Sequence, residues 1–215
     1  MLKRKNISDN IYDKIKLLFI NGELDFGEKI GEVELCKILD VSRTPLREAI
    51  KQLEIEGIIE RTPNGRLKIM EMDSKRIDEI FQIRCSLEDL ILDNIIQNKD
   101  KDFIKELENN LTLTKFHIDL ENWEETRKLF SEFNKILYKY SQLEFTIKIL
   151  KNYSFILQKL RLNSLEKSDR IKVSYEEHIL LLNYLKNNDI KKAKQLNRKH
   201  LLKAKESVIK YFLSK

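Results

Sequence analysis

The sequence predicts a mainly α-helical protein, with an N-terminal winged helix-turn-helix followed by an all-α antiparallel bundle of about six helices. Three observations support this prediction. Helix breakers are scarce, with only 5 Gly and 2 Pro among 215 residues. The first part of the chain contains three short amphipathic segments and a hairpin pattern. Beyond Asp73, apolar residues recur at spacings of three and four over long segments.

Three short helices are predicted within residues 1–72. Residues 8–20 are amphipathic, and "GEVELCKILD" is typical of a short second helix after a loop. The third helix lies in "VSRTPLREAIKQLEIEG", where Ser42 is a suitable N-cap. Pro45 fits the first turn of this helix, and Gly57 ends it.

A β-hairpin is predicted directly after the third helix. Ile58 and Ile59 on one side, and Leu67 and Ile69 on the other, flank a "PNG" turn. Three short helices followed by a hairpin make a winged helix-turn-helix. We therefore place a first domain at residues 1–72.

Residues 73–215 are predicted to form a second domain that contains only helices. Short polar breaks such as "NKDKD" and "KNND" separate the apolar periodic segments. The predicted helices span 73–98, 101–119, 122–140, 142–165, 170–187 and 189–213. The linker "MEMDSK" is short, so we expect the two domains to be closely coupled.

The net charge of +6 does not by itself identify a nucleic-acid-binding domain. Residues 1–72 contain 13 Lys and Arg against 13 Asp and Glu, so the excess lies in the second domain. If the first domain binds DNA, local placement of its charges must supply the attraction. There is no apolar run of the roughly 20 residues that span a bilayer, and no secretory signal. With two isolated cysteines, these features predict a cytoplasmic protein without a membrane partner.

The third helix carries a row of basic residues. Arg43, Arg47 and Lys51 are four residues apart, which places them on one face. In a helix-turn-helix this helix enters the major groove, so the cations can reach phosphates or guanine edges. Ser42 and Thr44 add hydroxyl groups at the helix N-terminus, where a phosphate would lie.

The tip of the predicted hairpin adds a second set of candidate contacts. Gly65 would let the backbone approach DNA closely, and Arg61, Arg66 and Lys68 surround it. An isolated Arg-x-x-x-Arg pattern is more typical of a solvated helix surface than of a binding site. The complete string of motifs is far more specific.

"VSRTPLREAIKQLEIEGIIERTPNGRLKI" closely resembles the winged-helix domain of the GntR family of bacterial transcription regulators. The match is nearly position for position, with Leu46 and Ile50 where the family usually has Val and Leu. Val33 stands near the place where some members have another basic DNA contact. The resemblance implies functions in DNA binding for five of the residues above, with Ser42, Arg43, Thr44 and Arg47 as contacts and Gly65 as the wing tip.

The second domain resembles the FadR C-terminal (FCD) branch of that family. "IRCSLEDLILDNI" is similar to its first helix, and "SYEEHILLLNYLKNNDIKKAKQLNRKHL" is similar to its last two helices. The resemblance implies a transcription regulator that binds a palindromic operator in double-stranded DNA as a homodimer. A small effector held in the helical domain would control its operator affinity.

Many FCD proteins hold a divalent metal with one Asp and three His. His178 and His200 match two of these ligands, and they lie equally far on either side of the turn residue Asp189. In an antiparallel helical hairpin, these two positions would face each other at one level. In the middle segment "FSEFN", Phe130 replaces the Asp and Asn134 replaces the remaining His. A metal cofactor is therefore disfavoured, and its ligands, if one binds, would be His178 and His200.

Family members without a metal bind their effector in the same central cavity. Arg84 lies on an apolar stripe, and an arginine that faces a core requires an anion, either a carboxylate such as Glu88 or a ligand. Arg161 is a weaker candidate for such an arginine, and a structural salt bridge explains any of them about as well. We predict a small, carboxylate-bearing effector, with five residues in contact: Arg84, Arg127, Asn134, His178 and His200.

Two other hypotheses stay open at this point. The first is a metal-dependent sensor of the same fold. The second is an enzyme or a helical interaction protein with a vestigial head. The sequence contains no Gly-rich phosphate loop and no recognisable nucleophile–base motif, which argues against an enzyme. The intact "SRTPLRE" argues against a protein that functions only in protein–protein interaction.

Overall fold

Helices dominate the structure, and the predicted fold class is confirmed. The computed structural model describes residues 7–164 and 168–213. Within these residues the chain forms two compact units. One contains residues up to Asp73 together with Asn152–Lys159, and the other contains Ser74–Lys151 and the residues from Leu160 onward.

The N-terminal part of the first unit, residues 7–73, is a winged helix-turn-helix that we call the head. Its elements in chain order are α1 (Ile7–Asn21), β1 (Lys29–Ile30), α2 (Glu32–Leu39), α3 (Arg43–Ile55), β2 (Ile59–Arg61) and β3 (Leu67–Ile69). The apolar faces of the helices are buried, because their hydrophobic residues recur with the helical period. Ile15, Leu35, Leu46 and Ile50 are at most 3% exposed.

The wing contains one more strand than the predicted hairpin. Strands β2 and β3 pair antiparallel around the "PNG" turn, and β1 pairs with the other edge of β3. Ile30 of β1 is buried and lies opposite Leu67. The backbone N–H of Ile69 donates to the carbonyl oxygen of Glu28 over 2.9 Å, which continues this pairing. The segment predicted as a loop therefore covers the edge of the wing sheet.

A tight turn joins α2 to α3. Asp40 adopts a left-handed conformation with φ of 52°, and the N–H of Val41 donates to the carbonyl oxygen of Cys36. Ser42 occupies the N-cap position of α3 with extended backbone, as predicted. Its side chain makes no capping hydrogen bond within the described structure, so the hydroxyl is available to a ligand.

A segment of a much later helix completes the first unit. Helix α7 (Glu144–Ser164) contributes Asn152–Lys159, which the predicted first domain of residues 1–72 does not include. Phe155 packs edge-on against Phe19 of α1, with ring centroids 5.6 Å apart. The buried Lys159 donates from Nζ to the carbonyl oxygens of Phe19 and Leu24 over 2.8 and 2.7 Å.

The second unit is a helical bundle. It contains α4 (Ser74–Asn98), α5 (Lys101–Asp119), α6 (Trp123–Ser141), α8 (Ser168–Lys186), α9 (Ile190–Leu213) and the two ends of α7. Helix α4 packs against α6 and α9, and α5 packs against α6 and α8. The helix bounds lie within two residues of the predicted ones, and the predicted break at "EKSD" falls partly on residues 165–167, outside the described residues.

Candidate nucleic-acid interface and polar core site

Helix α3 presents its basic residues on the surface of the head. Arg43, Arg47 and Lys51 are exposed, whereas Leu46 and Ile50 on the opposite face are fully buried. The apolar face therefore fixes the rotation of α3 and directs the cations outward. The remaining predicted contacts are also exposed, namely Ser42, Thr44, Gly65 and Arg66.

An open cleft of about 420 Å³ lies where α2 meets α3. Lys37 and Val33 of α2 and Ser42 and Arg43 of α3 are among its lining residues. The N-terminus of α3 carries the positive end of the helix dipole and unsatisfied backbone N–H groups. The cleft thus combines a hydroxyl, two cations and a helix N-terminus, which suit a phosphate group, with the carboxylate of Asp40, which opposes it.

One carboxylate beside α3 engages two arginines. The Nε of Arg47 donates to Oε2 of Glu32 over 2.9 Å, and Nη1 of Arg61 donates to Oε1 of Glu32 over 2.8 Å. Arg61 also approaches Glu54 at 3.2 Å. Hydrogen bonds from Arg47 and Arg61 hold the pKa of Glu32 below its ordinary value. The sequence analysis did not identify Glu32, because the pairing joins residues of three separate elements.

The wing cations differ in their partners. Lys68 is half-buried and pairs with Glu60 and Glu71, and Arg61 pairs with Glu32 and Glu54. Arg66, at the exposed turn, forms no ion pair among the described residues. Gly65 beside it has φ of 78°, a left-handed conformation that glycine adopts without strain.

The second unit contains a buried polar cluster around Glu88 of α4. Arg84 is 3% exposed, and its Nε donates to Oε1 of Glu88 over 2.7 Å. Tyr138 of α6 and Asn197 of α9 donate to the same carboxylate over 3.1 and 2.8 Å. Glu88 therefore supplies the anion that a core-facing arginine requires. The buried position of Arg84 no longer demands a ligand.

A second buried carboxylate lies between α8 and α9. Glu177 accepts hydrogen bonds from Lys203 over 2.7 Å and from Arg170 over 3.1 Å, and Nδ1 of His200 lies 2.6 Å from its Oε2. Burial raises the pKa of Glu177, but the hydrogen bonds from His200 and Lys203 outweigh it and hold this pKa far below its ordinary value. Burial lowers the pKa of His200, which favours a neutral ring that donates from Nδ1 and leaves Nε2 as an acceptor.

The two core histidines come together, as the sequence predicts. The ring centroids of His178 and His200 are 5.4 Å apart. His178 stacks on Phe133 at a centroid distance of 4.3 Å and meets the edge of Phe130 at 4.9 Å. Phe130 thus fills space where a carboxylate ligand would be required. In the described part of the chain, no three His, Cys, Asp or Glu side chains lie close enough together to hold a metal ion. His178 and His200 alone do not make the four-ligand site that a divalent transition metal requires.

The other predicted effector contacts that the structure describes are not part of the polar clusters around Glu88 and Glu177. Arg127 and Asn134 lie half-buried on α6. Among the described residues, neither takes part in the hydrogen bonds that surround Glu88 and Glu177. The side chain of Arg161 lies outside the described residues. Sequence reasoning missed four polar residues of the two clusters: Tyr138, Arg170, Asn197 and Lys203.

Both units match models of known protein families. The family model described as "Bacterial regulatory proteins, gntR family" matches residues 7–69, and the FCD domain model matches residues 79–203. The HTH-type transcriptional regulator YdhC of Bacillus subtilis is 28% identical over 89% of this chain and 84% of its own. The gluconate operon transcriptional repressor of the same organism is 26% identical over 82% of this chain and 74% of its own.

Solved structures show the same fold. The Escherichia coli protein McbR/YncC superposes with a TM-score of 0.79 at 18% identity, covering 96% of this chain and 99% of its own.

None of the described helices combines the length and apolar character needed to cross a bilayer. The FCD match alone covers more than half of the sequence. The chain belongs to the GntR family of bacterial transcription regulators, in the branch that carries a C-terminal FCD domain.

Proposed function

We propose that this DNA-binding regulator recognises a palindromic operator as a homodimer, and that a small carboxylate-bearing effector in the helical unit controls its operator affinity. The observation that supports operator recognition is the basic face of α3. Arg43, Arg47 and Lys51 project from one side of a helix whose other side is fully buried. A rigidly held helix of this kind presents cations in a register that can match base edges and phosphates.

Single alanine substitutions test this assignment. Arg43→Ala is expected to lower the affinity for an operator duplex by about 5- to 150-fold, since a bidentate arginine contributes about 1–3 kcal/mol. Lys14→Ala removes the same charge from an exposed position on α1 and serves as the control. Fluorescence anisotropy against the operator and a scrambled duplex measures both. Equal losses in the two variants would contradict recognition by α3.

A stripe on α4 supports the homodimer. Ile80, Ile83, Leu87 and Leu90 follow one another at spacings of three, four and three, and Ile83 and Leu90 are each 51% exposed. This is the spacing by which one helix packs along another. Symmetric dimers bury the same patch from both copies, so one stripe supplies both sides of an interface.

Polar substitutions on two helices locate the dimer interface. In a symmetric dimer, the double variant Ile83→Asn/Leu90→Asn places four polar side chains in the interface. Each should reduce the free energy of dimerisation by about 1 kcal/mol, because the side chains that they replace are half-exposed in one protomer. Dimer affinity should fall by about a thousandfold. Leu113→Asn/Phe116→Asn changes two exposed apolar residues of α5 and should leave the dimer intact. Sedimentation equilibrium that shows the opposite ranking would place the interface on α5.

The charge balance of the two polar clusters, one around Glu88 and one around Glu177, supports an anionic effector. Arg84, Arg170 and Lys203 face two carboxylates, Glu88 and Glu177. With a neutral His200, the cations exceed the anions by one, and a ligand carboxylate would restore the balance. Stacked on Phe133, His178 adds an aromatic wall and a polar edge to the same region.

Native mass spectrometry of the purified full-length protein tests the effector proposal first. We expect a dimer with a co-purified small acid, and gluconate, which appears in the name of one relative, is the first carboxylate to add. His200→Gln should weaken the thermal stabilisation that the acid produces, whereas His117→Gln on α5 should not. A bound neutral or cationic molecule would contradict a carboxylate effector.

A further inference from the structure

We propose that Glu32 is a positioning residue for sequence readout, which holds the guanidinium groups of Arg47 and Arg61 in fixed places beside α3. This inference rests on the proposed operator binding. It adds an acidic residue to a surface whose other assigned residues are cations, hydroxyls and a glycine. The physical basis is one carboxylate that joins the start of α2 to the middle of α3 and the end of β2.

The Glu32 carboxylate is mostly buried, whereas the two arginine side chains that it binds are exposed. Each oxygen of Glu32 accepts from a different arginine, over 2.9 Å for Arg47 and 2.8 Å for Arg61. The Glu32 side chain is only 12% exposed, whereas those of Arg47 and Arg61 are 63% and 42% exposed. The carboxylate is therefore shielded behind the arginines, and the guanidinium groups face the solvent from which DNA would approach.

The bonds to Glu32 leave enough donors for DNA. Arg47 uses Nε, so both Nη groups stay available, and the two parallel N–H donors needed for a guanine edge come from these atoms. Arg61 uses Nη1 for Glu32 and Nε for Glu54, which leaves Nη2 for a phosphate. An arginine already held in one rotamer loses less conformational entropy on binding than a mobile one.

Electrostatics alone predicts the opposite effect of removing Glu32. A carboxylate on a DNA-binding surface repels phosphates, so its loss should strengthen binding to any sequence. Loss of positioning should instead weaken binding to the operator and leave non-specific binding unchanged or stronger. The ratio of operator affinity to random-duplex affinity therefore distinguishes the two roles. A partly unfolded preparation lowers both affinities by the same factor and does not change this ratio.

The experiment compares Glu32→Ala with Glu34→Ala in the full-length protein. Glu34 is exposed on the same helix, so both variants remove one negative charge from α2. An operator duplex selected from a random library by the unaltered protein, and a scrambled duplex, are titrated by fluorescence anisotropy at two salt concentrations. We expect Glu32→Ala to lower the affinity ratio about tenfold and Glu34→Ala to leave it unchanged.

The variant Glu32→Gln and the duplex selection itself provide two further tests. Glu32→Gln offers a single acceptor oxygen and cannot hold both arginines, so its ratio should lie between those of the unaltered protein and Glu32→Ala. An unchanged or higher ratio in Glu32→Ala, or an equal fall in Glu34→Ala, would overturn the positioning role while operator binding stands. If the unaltered protein selects no duplex, the proposed operator recognition fails, and the inference fails with it.

Discussion

Replacement of Lys159 by Met should destabilise the C-terminal end of α1. Lys159 is 3% exposed, and its ammonium group donates to the carbonyl oxygens of Phe19 and Leu24. It also lies 3.2 Å from Asp25. The carbonyl groups at the end of a helix carry its negative dipole, so a buried cation is stabilised there. Met has a similar length and keeps the packing, but it cannot donate.

The expected loss follows from these contacts. A buried acceptor left without its donor costs about 1–3 kcal/mol, and two are affected. The carbonyl oxygen of Phe19 retains a long hydrogen bond of 3.3 Å from the N–H of Gly22, so its loss is at the low end of this range. The Asp25 side chain is 52% exposed, so the loss of its ion pair with Lys159 also contributes little. Relief from burying an ammonium group offsets about 1–2 kcal/mol. The net loss is about 1–3 kcal/mol.

Hydrogen exchange measures this loss where it occurs. The N–H of Glu23 donates to the carbonyl oxygen of Leu18 over 3.0 Å, so amide exchange at the end of α1 reports local opening. A loss of 1–3 kcal/mol should accelerate exchange there by about 5- to 150-fold. Lys148→Met removes an exposed lysine of the same helix α7 and is the control. Unchanged exchange in Lys159→Met, or equal acceleration in both variants, would refute the reasoning.

Three further predictions concern other parts of the protein. Gly65→Ala should lower the stability of the head by about 1 kcal/mol, seen as an earlier thermal transition, whereas Gly31→Ala, at negative φ, should have little effect. Burial lowers the pKa of His200, so the unfolded chain binds more protons than the folded one and stability falls as pH drops below about 6.5. In urea unfolding at pH 7.5 and 5.5, His200→Gln should reduce this loss of stability. A second loss, from protonation of Glu177, begins only as the pH falls below about 4.5. Phe133→Ala should cost about 3–5 kcal/mol in urea unfolding followed by the single tryptophan, because this ring is fully buried.

The parts of the fold that sequence analysis predicts are those that short-range patterns specify. The buried face of α3 and the "PNG" turn depend on residues a few positions apart, and both are found where expected. Strand β1 was not predicted, because its two residues become a strand only through pairing with β3, far along the chain. Lys159 likewise reads as an ordinary lysine of an amphipathic helix until Phe19 and Leu24 are brought to it.

The candidate sites show the same division. The helical period alone predicts that Arg43 and Arg47 share a face, and a symmetric helical hairpin is enough to bring His178 and His200 together. The role of Glu32 required knowledge of which residues of α3 and β2 surround it. A carboxylate near a DNA-binding helix has no sequence signature that separates an anchor for arginines from a solvated surface residue.

The charge of the predicted first domain illustrates why placement determines function. The predicted first domain contains equal numbers of acidic and basic residues, although a DNA-binding surface requires a positive field. The charges are paired unevenly. Glu32 and Glu54 are bound to arginines, whereas Arg43, Lys51 and Arg66 form no ion pair among the described residues. The Debye length at physiological ionic strength is about 8 Å, so a phosphate on this surface interacts mainly with the charges closest to it. These three exposed cations carry no bound carboxylate from the described residues that would neutralise them. A predicted first domain without net charge can therefore present a locally basic face to DNA.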